Sequence, residues 1–146
     1  MIESVFLDTN GWIALLNTSD DLHEPARAIW DRLARENTPI VVTDWVVAET
    51  GNGLARFAVR ENFRRAVGLI ETSARATLLS IDQGLCQQAL RLYAERSDKT
   101  WGLVDCASFV TMEGRGIRAA FTDDRHFEQA GFRRLLASES SRTPAI

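Results

Sequence analysis

The stretch VFLDTNGWIALL, from Val5 to Leu16, contains the start of the fold and one residue that interrupts it. Val5-Phe6-Leu7 has the β-branched and aromatic character of a buried strand, and the apolar residues from Trp12 onward suit the inner face of a helix. Asp8-Thr9-Asn10 lies between them and is typical of a strand-to-helix junction. A carboxylate at the end of a buried strand loses its hydration, so Asp8 needs partners in the folded protein.

The composition is that of one globular domain. The chain has 146 residues, of which 45% are hydrophobic and 25% are charged. No apolar run reaches the ~20 residues of a membrane span, and the amino terminus lacks the features of a signal peptide. We therefore expect a cytoplasmic protein without membrane contact, with the domain in residues 1–137 and a disordered tail in residues 138–146.

Short strand patterns alternate with longer helical patterns along the chain. This alternation predicts an α/β fold with a central, mainly parallel sheet of four to five short strands flanked by helices. Strands are predicted at residues 4–7, 40–43, 77–81 and 118–121, and a weaker one at 132–135. Helices are predicted from about Gly11 and at residues 25–36, 44–58, 61–73, 85–96 and 104–113.

Four carboxylates stand where surface residues are not expected. Asp8 and Asp124 each follow a predicted strand, whereas Glu49 in WVVAET and Asp105 in WGLVDCASFV lie within apolar helical segments. One such residue is more often a cap, a turn residue or half of an ion pair. Four of them in one small domain favour a functional cluster.

Such a cluster favours a hard divalent cation. The two cysteines and two histidines are not in ligand spacing, which argues against zinc. Mg²⁺ and Mn²⁺ prefer oxygen ligands and commonly link carboxylates to a substrate phosphate. Two such ions about 4 Å apart can activate a water and stabilise the leaving oxygen of a phosphodiester. A metal-dependent nuclease therefore accounts for the four acids.

Four motifs in order carry a family resemblance: FLDTN, the glutamate of VVAET, WGLVDCASF and FTDDRHF. Together they resemble PIN-domain ribonucleases, and their order and the chain length are similar to the VapC toxins of type II toxin–antitoxin systems. The resemblance covers roughly residues 5–132. It implies a PIN-like fold and a Mg²⁺- or Mn²⁺-dependent endoribonuclease that hydrolyses phosphodiester bonds in RNA. It also implies a VapB-like antitoxin as partner, a homodimer, and a transfer RNA or ribosomal RNA substrate.

The same resemblance assigns roles to individual positions of the motifs. Thr122 matches a hydroxyl residue that orients a carboxylate or a water, and Asn10 matches a polar position beside the ligands. The catalytic and metal-binding positions implied are Asp8, Glu49, Asp105 and Asp124.

Two further acids leave alternatives open. In the tandem Asp123-Asp124, the T-x-D spacing after Thr122 favours Asp124 as the fourth acid, although Asp123 could serve instead. Asp98, in SDKTW, is a candidate additional acid of the site, but a loop or helix-end position is the simpler interpretation.

Three arginines indicate where RNA could bind. Arg56, Arg60 and Arg64 are spaced four residues apart, so they form one stripe if the helix is continuous there. Such a stripe can follow a phosphate backbone. The alternative is a solvated helix face on which the arginines pair with Glu61. The formal net charge of −3 does not by itself indicate a nucleic-acid binder.

Two other functions stay compatible with the sequence. One is a PIN-type RNA-processing nuclease without an antitoxin, which an adjacent antitoxin gene or toxicity on expression would exclude. The other is a non-catalytic α/β interaction module with an acidic patch. The latter predicts that removal of Asp8 or Asp105 stabilises the fold without loss of any activity.

Overall fold

The structure is a computed structural model that describes residues 2–137, so the tail predicted at residues 138–146 lies outside the described residues. Along the described part the elements are β1 (Val5–Leu7), α1 (Thr9–Leu16), α2 (His23–Arg35), β2 (Ile40–Thr43), α3 (Asp44–Leu54), α4 (Arg60–Thr72), β3 (Ala76–Leu79), α5 (Gln83–Glu95), α6 (Leu103–Arg115), β4 (Ala119–Phe121), α7 (Arg125–Gln129) and β5 (Arg133–Arg134). None of these helices is long and apolar enough to cross a membrane.

The predicted α/β fold is confirmed. The five strands form one sheet in the order β3-β2-β1-β4-β5, and every neighbouring pair is parallel. Two features differ from the prediction. The helix predicted to reach residue 58 ends at Leu54, and a short helix, α7, follows β4 where no helix was predicted.

The order of the strands locates the place where a ligand binds most readily. The chain builds outward from β1 to β2 and β3, and then returns to add β4 and β5 on the other side of β1. In open parallel sheets, ligands bind outside the carboxyl ends of the strands where this order reverses. Here that point lies between β1 and β4, whose register pairs Leu7 with Phe121. The next residues along each strand, Asp8 and Thr122, are therefore neighbours.

Aromatic contacts fix the helices against the sheet. Phe109 of α6 makes edge contacts with Trp101 and with Phe127 of α7, at ring-centroid distances of 5.0 and 4.9 Å. On α2, Trp30 packs against Phe121 of β4 at 5.2 Å. Such pairs stabilise the fold beyond the apolar area that they bury. They hold α7 against α6 and α2 against β4, so the elements that carry Asp105 and Asp124 are packed into the fold.

Helix α1 approaches β4 more closely than a side chain allows. A Cβ atom placed on Gly11 would lie 2.1 Å from the backbone oxygen of Phe121 and 2.6 Å from its ring. Only glycine permits this approach without displacement of backbone. The contact keeps the first turn of α1, which contains Asn10, beside the loop that follows β4.

We expect Gly11→Ala to lower the free energy of unfolding by about 2 kcal/mol, because the added methyl group displaces backbone of β4. Gly68→Ala is the matched control, since Gly68 lies in the interior of α4 with no atom within 4 Å of an added Cβ. Alanine is the better helix former at both positions, so the control should gain about 0.5–1 kcal/mol. Urea denaturation measures both values. Equal effects of the two substitutions would contradict the close approach.

Candidate metal centre

Asp8 is buried at the carboxyl end of β1, with 4% of its surface exposed. It occupies the N-cap position of α1, yet its carboxylate makes no capping hydrogen bond. Instead, Oδ2 accepts a hydrogen bond from the hydroxyl of the buried Thr122 at 2.8 Å. Because a hydroxyl has a single proton to donate, the longer 3.3 Å contact from Thr122 to Asn10 Oδ1 is secondary. Thr122 therefore orients the Asp8 carboxylate directly.

Asn10 ties the loop after β4 to helix α1. Its Oδ1 accepts a hydrogen bond from the backbone N–H of Asp123 at 2.7 Å. In the same loop, the backbone N–H of Asp124 donates to Thr122 Oγ1 at 3.0 Å. The loop that carries Asp124 is thus fixed relative to Asp8 through both the threonine and the asparagine.

The four predicted acids share one electrostatic environment. Burial, aided by the negative charges of Asp105 and Asp124 and opposed by the hydrogen bond from Thr122, raises the pKa of Asp8 to about 7. Burial also raises the pKa of the half-buried Glu49, and the same two aspartates contribute. The negative charges of Asp105 and Asp124 thus make Asp8 and Glu49 harder to ionise, and a cation among these carboxylates would relieve the repulsion.

Asp105, Asp124 and His126 form the tightest group in this environment. One potential ligand atom from each lies within 4.8 Å of the others. Asp105 stands in the first turn of α6, where its Oδ2 accepts the backbone N–H of Gly102 at 3.1 Å. Asp124 is the N-cap of α7, and its Oδ1 accepts the backbone N–H of His126 at 2.9 Å.

His126 is absent from the site residues that the motifs predict. Its Nδ1 lies 2.9 Å from Oδ2 of Asp105, a residue of α6 that is 21 positions earlier in the chain. A signal for it exists in the sequence: an aspartate N-cap commonly accepts the N–H of the second residue of its helix. Recognition of a helix start at FTDDRHF would have placed the residue two after Asp124 beside that carboxylate.

The two acids that the sequence left open form hydrogen bonds outside this group. Asp123 Oδ1 lies 3.4 Å from Nη1 of the buried Arg134, which also donates to the Asp123 backbone oxygen at 2.8 Å. Asp98 is exposed and accepts two hydrogen bonds from Arg96, at 2.9 and 3.0 Å. Among residues 2–137, the group of close ligand atoms includes neither of them.

The predicted arginine stripe is wrong as a single helical face. Helix α3 ends at Leu54 and α4 begins at Arg60, so Arg56 lies in the turn between them. The guanidinium of Arg60 donates to the backbone oxygen of Ala55 at 2.9 Å, which helps to end α3. Arg64 forms an ion pair with Glu61 at 2.7 Å. The three arginines are exposed, and their contact with RNA stays a prediction.

The donor set suits a hard divalent cation. Carboxylates on four different segments, after β1, in α3, at the start of α6 and after β4, act on one another through their charges. Oxygen donors of this kind match Mg²⁺ and Mn²⁺, and the imidazole of His126 is compatible with Mn²⁺. The residues present therefore fit a divalent metal ion.

Comparisons with known proteins identify the family. The PIN-domain family matches residues 5–133. The chain is 31% identical over 131 residues to the 23S rRNA-specific endonuclease VapC20 of Mycobacterium tuberculosis. The aligned residues cover 88% of this chain and 95% of the relative. The chain therefore belongs to the PIN-domain family.

Solved structures agree with this conclusion. The crystal structure of M. tuberculosis VapC20, a toxin that cleaves the sarcin–ricin loop, is similar with a TM-score of 0.76 and 28% identity, over 88% of this chain and 96% of that chain. The crystal structure of FitAcB from Neisseria gonorrhoeae shares the fold, with a TM-score of 0.61 and 22% identity over 89% and 95% of the two chains.

These similarities confirm the predicted enzyme class, an endoribonuclease of the VapC type. PIN-domain nucleases use divalent metal ions, and VapC toxins bind RNA and pair with antitoxins. The alternative of a non-catalytic interaction module is thereby disfavoured.

The raised pKa of Asp8 predicts a stability profile that depends on pH. The folded protein holds the proton up to about pH 7, whereas the unfolded chain releases it near the ordinary value of 3.8. Without metal, stability therefore falls as the pH rises between these two values, by at most about 1.4 kcal/mol per pH unit. Asp8→Asn removes this titration, so its profile should be flatter. Thermal unfolding in EDTA between pH 4.5 and 8 measures both, and parallel profiles would contradict the raised pKa.

Proposed function

We propose that Asp8, Glu49, Asp105 and Asp124 hold Mg²⁺ or Mn²⁺ and that the chain is a toxin that cleaves a ribosomal RNA loop. One observation carries this proposal. Four carboxylates from distant segments converge beside the carboxyl ends of β1 and β4, and burial raises the pKa of one of them to about 7. A fold maintains such a repulsive group at a functional site more readily than elsewhere.

The chain's own residues define the geometry of the reaction. Thr122 holds Asp8 through its hydroxyl, and Asn10 holds the backbone that leads to Asp124. Glu49 reaches the group from α3 and either binds metal or orients the attacking water. Divalent ions bound here would lower the pKa of that water and neutralise charge on the phosphate and the leaving oxygen. In-line attack on phosphorus then leaves a 5′-phosphate and a 3′-hydroxyl.

Asp124, rather than Asp123, is the fourth acid of this proposal. Asp124 shares the group of close ligand atoms with Asp105. The Asp123 carboxylate lies beside the guanidinium of Arg134, whose charge offsets its own. Substitution of each neighbour by asparagine removes the same charge at adjacent positions, so the pair tests which of the two aspartates binds the metal ion.

The proposed substrate class is supported by a comparison with one relative. The relative with 31% identity is named as specific for 23S rRNA, and the two chains align over 88% of this one. We therefore favour a ribosomal RNA loop over a transfer RNA. Arg56 is the most available of the three predicted RNA contacts, since Arg64 pairs with Glu61 and Arg60 donates to the Ala55 backbone oxygen, whereas Arg56 lies over the ring of Phe57.

The first experiment incubates the purified chain, free of partner, with ribosomes and with transfer RNA in Mg²⁺, Mn²⁺ or EDTA. We expect discrete metal-dependent cuts in ribosomal RNA, with 5′-phosphate ends. Asp8→Asn, Asp105→Asn and Asp124→Asn should each reduce the rate at least 100-fold, because each removes one ionised oxygen ligand. Asp123→Asn is the matched control and should retain the rate within about threefold.

Three results would count against the proposal. Cleavage in EDTA or a 2′,3′-cyclic phosphate product would exclude the metal-dependent route. Equal losses in Asp123→Asn and Asp124→Asn would contradict the choice of the fourth acid. Cuts in transfer RNA alone would exclude ribosomal RNA as the substrate, whereas the proposed metal centre would stand.

An apolar groove on the helical surface is where we place the antitoxin. It has a volume of about 310 Å³ and lies between α1, α2 and α4. Trp12, in its wall, lies on the same helix as Asn10. Leu69, on its rim, is 69% exposed. The walls include Trp12, Leu15, Leu16, Trp30, Ala66, Leu69 and Ile70.

A second apolar surface supports the proposed homodimer. Leu90 and Tyr93 on α5 are 47% and 54% exposed, and their spacing places them on one helix face. Such exposed apolar pairs are common at interfaces between subunits.

We expect Leu69→Asp to weaken binding of a cognate VapB-like antitoxin at least tenfold, because it places a charge in the apolar groove. The Leu69→Asp variant should cleave RNA at the wild-type rate, since Leu69 is exposed and lies outside the carboxylate group. Leu90→Asp is the matched control, with unchanged antitoxin affinity. Calorimetry gives the affinities, and light scattering on the same samples shows whether Leu90→Asp dissociates the dimer. Equal antitoxin affinity for wild type and Leu69→Asp would exclude the groove.

A further inference from the structure

We propose that His126 is a positioning residue that orients Asp105 for metal binding, an inference that rests on the metal centre proposed above. His126 is the second residue of α7, whereas Asp105 belongs to α6. Their side chains meet through a 2.9 Å contact between Nδ1 and Oδ2. The contact joins two acids that the chain brings from different helices, because the backbone N–H of His126 also donates to Asp124 Oδ1 at 2.9 Å.

The chemistry of the contact defines the tautomer of the ring. An ionised carboxylate can only accept a hydrogen bond, so Nδ1 carries the proton and donates it to Asp105. The other ring nitrogen, Nε2, lies 3.3 Å from the hydroxyl of Thr100. The ring is held at both ends, and its neighbour Phe127 is fully buried against Phe109. His126 therefore has little freedom to rotate away.

Both hydrogen-bond donors that contact the Asp105 carboxylate bind the same oxygen, Oδ2. Oδ2 accepts from His126 Nδ1 and from the backbone N–H of Gly102 at 3.1 Å. Oδ1 accepts no hydrogen bond from any residue between 2 and 137, which leaves it available to a cation. Partners of this kind orient a carboxylate ligand, and their loss typically lowers metal affinity about 10- to 100-fold.

The alternative is that His126 is itself a ligand. Its ring nitrogen belongs to the same close group as Asp105 and Asp124. The geometry favours the positioning role: Nδ1, which donates its proton to Asp105, has no lone pair for a metal ion, and Nε2, which has one, lies 3.3 Å from the Thr100 hydroxyl. The two roles differ in whether a nitrogen is bonded to the bound ion, which magnetic resonance detects.

The test measures Mn²⁺ binding to the full chain and four variants by electron paramagnetic resonance. We expect His126→Ala to raise the Kd about 10- to 100-fold. His126→Asn, whose amide N–H can occupy the place of Nδ1–H, should remain within about threefold of wild type. His126→Gln places its amide farther out, near the position of Nε2, and should resemble alanine. His23→Ala is the control, since it changes the other histidine of the chain, which contacts the Ala14 backbone oxygen.

The outcomes separate this role from the proposed metal centre. Rescue by asparagine together with no nitrogen coupling to bound Mn²⁺ in wild type supports positioning. A nitrogen coupling that disappears in His126→Ala would overturn it in favour of direct ligation. Unchanged affinity in His126→Ala would overturn the role while the metal centre stands. Absence of Mn²⁺ binding by the wild type would overturn the metal centre and this role with it. Melting temperatures without metal show that each variant is folded.

Discussion

The hydrogen bond from Thr122 to Asp8 is the interaction on which the site depends. It joins residues 114 positions apart and closes the gap between the two central strands at their carboxyl ends. Burial makes ionisation of Asp8 unfavourable, and this bond is the main compensation within the protein itself. The close approach at Gly11 and the Asn10 bond to the Asp123 backbone serve the same junction. Loss of any of these contacts changes the position of a carboxylate as well as the stability of the fold.

The acidic group beside β1 and β4 is a source of electrostatic repulsion that the rest of the molecule offsets. Its carboxylates repel one another, and two of them have raised pKa values. The stabilising contributions come from the aromatic contacts of α2, α6 and α7 and from the buried all-parallel sheet. Functional sites commonly conflict with stability in this way. Asp123, outside the group of close ligand atoms, has its negative charge offset by the neighbouring guanidinium of Arg134.

Local pattern was sufficient for most of the fold and for the four acids, because each acid stands out against apolar neighbours such as those around Glu49 and Asp105. The break between α3 and α4 was not predictable in this way. After Leu54 the backbone forms turn-type hydrogen bonds such as Phe57 N–H to the Leu54 oxygen, and the Arg60 side chain donates to the Ala55 backbone oxygen. His126 was missed for a related reason, since its partner Asp105 is distant in sequence and the five-residue α7 is too short to show periodicity. Contacts across the chain decide both features.

The distance along the chain between Asp8 and Asp124 has a consequence for the cell that makes this protein. During synthesis, β1 and its aspartate leave the ribosome early, but the central sheet is incomplete until β4 and the loop after it have emerged. A nascent chain therefore carries its acids apart from one another and has no assembled site. A chain that lacks β4 also lacks the Thr122 hydroxyl that orients Asp8, so assembly of the acidic group requires synthesis of β4 and of the loop after it.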